Sequence, residues 1–166
     1  MTTQVRFVTW TVTALLLIAA APGAPQTSED EALMQFQRAA DSYAFQHRRV
    51  QRQAGDTPDQ SAMALPMRMA KAVPAEGSLF TPVTAAAFRA RIAAVVRRGC
   101  AQPRVASPVV PRAAEDAGGT RPLAACLVAA LPRLPEELAY RSAGVALVLV
   151  DVHPNLVVDV LHAAFP

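Results

Sequence analysis

Aromatic residues make up only 5% of this 166-residue chain, and its single tryptophan, Trp10, lies in the leading segment. Lysine is scarcer still: Lys71 stands alone against fifteen arginines scattered along the sequence. Nucleic-acid surfaces place clustered cations among stacking aromatics, so no nucleic-acid partner is expected. The two cysteines, Cys100 and Cys126, do not form a C-x-x-C pair, which argues against dithiol redox chemistry. They are also too few for a cysteine-rich zinc site. The sequence has no phosphate-cradling glycine loop, no nucleophile elbow, no H-E-x-x-H and no internal repeat. Nucleotide hydrolysis, serine-type hydrolysis and zinc proteolysis therefore lose their usual support.

What is abundant is apolar. Hydrophobic residues are 52% of the chain and charged residues 17%, enough for a packed core and too apolar for a disordered chain. Part of that excess sits in MTTQVRFVTWTVTALLLIAAAPGAPQ, where Arg6 precedes an apolar run from Phe7 to Ala21 and small residues follow. This is the layout of a secretory signal. Thr9, Thr11 and Thr13 interrupt the run and make it marginal as a membrane-spanning helix. Cleavage after Gly23 is expected, because cuts after Ala21 or Ala24 would leave proline first. The alternative is a retained anchor, which would be the chain's one membrane contact. Residues 1–23 are thus assigned as signal and residues 24–166 as one domain, periplasmic or extracellular. Loss of Arg6 lowers the net charge from +3 to +2. In an oxidising compartment Cys100 and Cys126 can bridge, closing a loop over the proline-rich stretch between them.

The strongest helix signal follows. Ser28 and Glu31 have capping-box spacing, and Leu33, Phe36, Ala40, Tyr43, His47 and Val50 form one apolar stripe. Acidic residues begin the segment, arginines end it, and Gly55 closes it. A second helix is predicted to open at Thr57 and Pro58 and to be cut or kinked by Pro66. Its Met63, Leu65, Met67 and Met69 read as core filling beside that kink, with a soft metal-ligand set as the minor alternative. A third helix is predicted from Thr81 as cap and Pro82 as first residue to a stop at Gly99, with Phe88, Ile92 and Val95 inward. Residues 100–120, rich in proline and glycine, read as a surface loop or partly mobile arm.

The last third changes character. RPLAACLVAAL reads as a short helix or turn, and Pro132 and Pro135 prevent its continuation. AYRSAG, VALVLVDV and LVVDVLHAAF read as three strands, the middle one apolar enough to be covered on both faces. Ser142–Gly144 and Pro154–Asn155 are the expected turns. The fold class is therefore α+β: a signal helix, then two to three helices packed on a small antiparallel meander.

Pro132, Leu134, Pro135, Glu137, Leu138, Tyr140, Arg141, Gly144, Asp151, Asn155 and Asp159, with LFTPVTAAAFRARIAA upstream, resemble a group of small uncharacterised exported bacterial proteins. The resemblance covers about half of the chain beyond the signal and implies a shared fold and export. It implies no activity.

The ionisable groups of DVHPNLVVD, residues 151–159, are the obvious candidates for chemistry. A two-residue Pro154–Asn155 turn pairs His153 with Leu156, Asp151 with Val158 and Asp159 with Val150, and sends the two aspartates to opposite faces. A four-residue loop is the arrangement expected to set Asp151 against Asp159. Asp151, His153 and Asp159 still lack a third protein ligand for a catalytic zinc unless His162 folds back. The preferred reading makes the aspartates turn-shaping groups, with no metal and no cofactor expected. His47 reads as a satisfied histidine at the core edge. Glu136, Glu137, Tyr140 and Arg141 offer a polar cluster in which Tyr140 and Arg141 could anchor strand to helix or hold a carboxylate ligand.

The leading expectation is a non-enzymatic envelope or extracellular protein that binds another envelope protein or a small ligand. The first helix's stripe and the meander's free edge are the candidate surfaces. The rival is a small metal-dependent hydrolase using Asp151, His153 and Asp159, or a ligand-binding domain.

Overall fold

A computed structural model of the chain describes residues 28–54, 61–101 and 109–166. The predicted signal and the Thr57–Pro58 opening of the second helix lie outside these residues. The order of elements is α1 (Glu29–Ala54), α2 (Ser61–Ala72), α3 (Pro82–Arg97), β1 (Arg121–Pro122), α4 (Ala125–Ala130), β2 (Leu138–Ala143), β3 (Ala146–Asp151) and β4 (Leu156–Leu161). The four strands form one antiparallel sheet in sequence order. This is an α+β fold. None of the described helices is long and apolar enough to cross a membrane.

Local chemistry sets the helix ends. The Ser28 hydroxyl accepts from the Glu31 amide at 3.2 Å, and Glu29, Asp30 and Glu31 complement the positive end of α1. Thr81 caps α3 by accepting from the Thr84 amide, and Pro82 fills a position whose missing amide costs nothing. Gly99 ends that helix at φ +97°, a conformation that side chains rarely adopt. Pro66 does not cut α2, which runs through it to Ala72. The predicted methionine patch divides: Met69 is fully buried and Met67 faces solvent.

The stripe of α1 packs against α3 and one face of the sheet. Phe36 sits at the centre, with ring centroids 4.6 Å from Phe88, 5.3 Å from Phe80 and 6.3 Å from Tyr140. Leu147, Leu149, Val158 and Leu161 supply the sheet's side of this core. Since the stripe is consumed here, it is not a surface for a partner. Val148, Val150, Val157 and Val160 cover the opposite face with Ala117 and Val110, so β3 is buried on both sides as its composition requires.

The second half of the expected 100–120 loop is not a free arm. Ala114 and Ala117 donate to the carbonyls of Val157 and Asn155, and Val157 donates to Glu115. This segment lies along the outer side of β4 and leads into β1. Cys100 and Cys126 are bridged with Cα atoms 6.0 Å apart, tying the end of α3 to α4.

The hairpins differ from expectation. The first turn is Gly144–Val145, with Gly144 at φ +58°, so Ser142 and Ala143 belong to β2. The second loop has four residues, 152–155, and places Asp151 opposite Leu156 rather than Val158 or Asp159. Asn155 takes the left-handed conformation expected of it, at φ +54°. A bulge at Leu149/Val150 then shifts the register so that Asp159 pairs with Leu149. The extra residue turns both Val158 and Asp159 toward the helices. The two aspartates therefore share a face, contrary to the alternation an unbroken pairing would impose.

Candidate functional site

Tyr43 and His47 lie one turn apart on the inward face of α1, a spacing that puts both side chains over the same spot. That spot is the end of β3. The Tyr43 hydroxyl donates to Asp151 Oδ2 at 2.8 Å, and His47 Nδ1 lies 2.6 Å from the same oxygen. Asp151 Oδ1 accepts from the His153 amide at 3.1 Å, the turn-shaping contact expected of it. The His153 ring stands nearby, its Nδ1 4.0 Å from Oδ1 and its centroid 5.1 Å from that of His47. His47 and Asp151 are wholly buried, whereas His153 is 45% exposed at the hairpin tip.

A second ion pair adjoins this group. Glu137, just before β2, accepts the Val152 amide on its backbone carbonyl and pairs with Arg48 Nη1 at 2.6 Å through Oε1. Burial would raise the Glu137 carboxyl. Its own backbone amide, the Arg48 bond and charge, and the nearby His47 outweigh that and hold it below its ordinary value. The Tyr43 phenol is pushed far the other way by burial, then by the charge of Asp151 and their shared hydrogen bond.

Two side-chain atoms in this neighbourhood are buried without a hydrogen-bond partner: His47 Nε2 and Glu137 Oε2. The His47 ring turns Nδ1 toward Asp151 Oδ2 and directs Nε2 away from that contact. His47 is thus buried but only half satisfied, a correction to its reading as a satisfied core histidine. The ionisable group that joins Asp151 and His153 comes from α1, and His162 does not fold back. Its Nε2 meets Glu76 at 3.1 Å on the exposed side.

Asp159 stands apart from this group. Its Oδ1 accepts from the Gly77 and Val160 amides, and its Oδ2 accepts from those of Leu79 and Phe80. A fully buried carboxylate thereby pins the segment that leads into α3. The predicted cluster of Glu136, Glu137, Tyr140 and Arg141 also disperses. Glu137 joins Arg48, Glu136 is exposed, and Tyr140 enters the aromatic core with its hydroxyl on the Pro132 carbonyl. Arg141, half-buried, sits between Pro122 and Val148 in the sheet register.

Comparison with protein-family models, curated proteins and solved structures finds no match to this chain.

Tyr140 also lines a groove of about 630 Å³ between α4 and β2, with Val128, Leu131, Leu134, Leu138 and the cation Arg133. Its walls are mostly apolar. β1 covers only Arg141 and Ser142 of β2, so among the described residues no strand pairs with the outer side of Leu138–Tyr140.

Sequence reasoning had singled out Asp151 and His153 but missed Tyr43, His47, Arg48 and Glu137 as their neighbours. The available signal was polar: Tyr43 and His47 interrupt an apolar stripe one turn apart, and two polar groups on a buried face require partners.

Proposed function

We propose that this chain is an exported bacterial protein that acts by binding rather than catalysis, taking an extended apolar segment of another envelope protein along the outer edge of β2. The observation that carries the reading is the unpaired stretch Leu138–Tyr140 beside the apolar groove. The Leu138 amide is held by the Pro135 carbonyl, so an extended peptide added there would pair with the edge backbone beyond it and find side-chain pockets between Val128, Leu131 and Leu134.

Export is supported by the layout of residues 1–23 and by the Cys100–Cys126 bridge, since such bridges persist in oxidising compartments. The absence of catalysis is supported by how the residues carrying the resemblance are used. Glu137 holds Arg48, Tyr140 holds Pro132, Gly144 and Asn155 make turns, and Asp159 pins a loop. Each is spent on the fold.

Site-specific photocrosslinking in the producing cell tests this. A photoreactive residue at Arg133 should give one discrete adduct with an exported protein, and Val128→Asp should abolish it. The same probe at Val83, on the exposed first turn of α3, should give none. Absence of an adduct at Arg133, identical adducts at both positions, or indifference to Val128→Asp would refute the reading.

A further inference from the structure

We propose that His47, Asp151 and His153 form a binding site for a divalent transition metal ion of the zinc, cobalt or nickel class. One donor atom from each of the three lies within 4.8 Å of the others. They come from α1 and from the β3–β4 hairpin, 104 residues apart, so tertiary structure and not chain proximity assembles them.

The His47 nitrogen that faces Asp151 is Nδ1, at 2.6 Å; an ion bound between the two needs that nitrogen free of a proton, and Nε2, buried with no hydrogen-bond partner, can carry the proton instead. Tyr43 and the His153 amide fix the two oxygens of Asp151, supplying the outer contacts that orient ligating groups. Glu137 adds negative charge alongside, offset by Arg48.

The donor set selects the ion. Two imidazoles and one carboxylate suit zinc, cobalt and nickel, whereas calcium and magnesium take shells made of oxygen. Metal bonds of about 2.0–2.2 Å put tetrahedral donors roughly 3.4 Å apart. The His47–Asp151 contact at 2.6 Å therefore opens slightly on binding, and the His153 ring, free to turn at the hairpin tip, closes inward. Entry is from the His153 side, where the remaining coordination position stays open to water or an external donor. This site lies apart from the β2 groove and stands whether or not that groove binds a partner.

The test is titration of the tag-free, metal-stripped protein with Zn²⁺, and with Co²⁺ followed by its visible absorption. The expected result is one ion per chain and Co²⁺ bands of the intensity seen with four or five ligands. His153→Ala, which removes an exposed ring, should weaken binding at least tenfold and leave the near-ultraviolet dichroism unchanged. His162→Ala, an exposed histidine elsewhere, should leave affinity unchanged. His47→Gln should abolish binding; if that variant does not fold, His153→Ala decides alone. No stoichiometric uptake, or equal weakening by His153→Ala and His162→Ala, would overturn the site.

Discussion

Replacing Asp159 with asparagine keeps the shape of a buried side chain and removes half of its acceptor capacity. In the native fold Oδ1 serves Gly77 and Val160, and Oδ2 serves Leu79 and Phe80, at 2.6–2.8 Å. An amide can present its oxygen to only one of these pairs; its NH₂ then confronts the other two N–H groups donor to donor. Each buried donor left unsatisfied costs about 1–3 kcal/mol, and water reaches Gly77 more readily than the rest. Asp159→Asn should therefore lose about 2–4 kcal/mol, a large share of the 5–15 kcal/mol typical of a folded domain. Urea unfolding measures it. With a slope of about 1.5–2 kcal/mol per molar, the midpoint should fall by roughly 1–2.7 M. Hydrogen exchange gives the local check, because the Leu79 and Phe80 amides should lose protection before the centre of α3 does. A loss below about 0.5 kcal/mol would refute the view that this carboxylate anchors the 77–80 segment.

Both tyrosines are buried, and their phenols are raised far above the ordinary value of 10.0. A raised group stabilises the fold fully below its ordinary value, and that contribution is lost as pH climbs above 10. Phenolate absorbance should therefore rise only with cooperative alkaline unfolding; gradual ionisation near pH 10 in the folded protein would count against the buried Tyr43 and Tyr140 contacts. Glu137 is displaced downward from 4.5, so its pairing with Arg48 contributes fully above that value and fades as pH falls through the lower folded one. Arg48→Ala, which strands a buried carboxylate, should cost about 1–3 kcal/mol at pH 7, and the deficit should shrink in acid. A deficit independent of pH would contradict the pairing. Replacing Cys100 and Cys126 with serine opens a loop whose ends are 26 residues apart, which chain entropy values at about 3.5 kcal/mol. An unchanged urea midpoint would show that the bridge contributes nothing.

The parts of the fold legible in the sequence are those that local chemistry decides. Ser28 and the acidic first turn announce α1, Thr81–Pro82 and Gly99 bracket α3, and the run ALVLVD reads as a strand covered on both sides. Pro66 leaves the choice between a cut and a kink open in the sequence, because propensity alone does not settle whether a helix continues, and α2 runs through it. The hairpin register was out of reach for a similar reason. The bulge at Leu149/Val150 is paid for by amides of residues 77–80, far upstream, and no count of turn residues reveals them. The candidate site was legible only as its hairpin half. Asp151 and His153 stand out as ionisable groups near a turn, while Tyr43 and His47 read as members of an apolar stripe. Burial of His47 followed from that stripe; the nitrogen left without a partner did not.

The distance along the chain between Tyr43 and Asp151, and between Phe80 and Asp159, has a consequence for synthesis. α1 is translated early, but the strands that cover its inner face are made last. Until Leu138–Phe165 has emerged, the greasy side of a 26-residue helix has only α2 and α3 to rest on and lacks the sheet. The nascent polypeptide must wait for its tail before it can become native, and any stop codon upstream of β3 leaves a fragment fit for a chaperone or a protease.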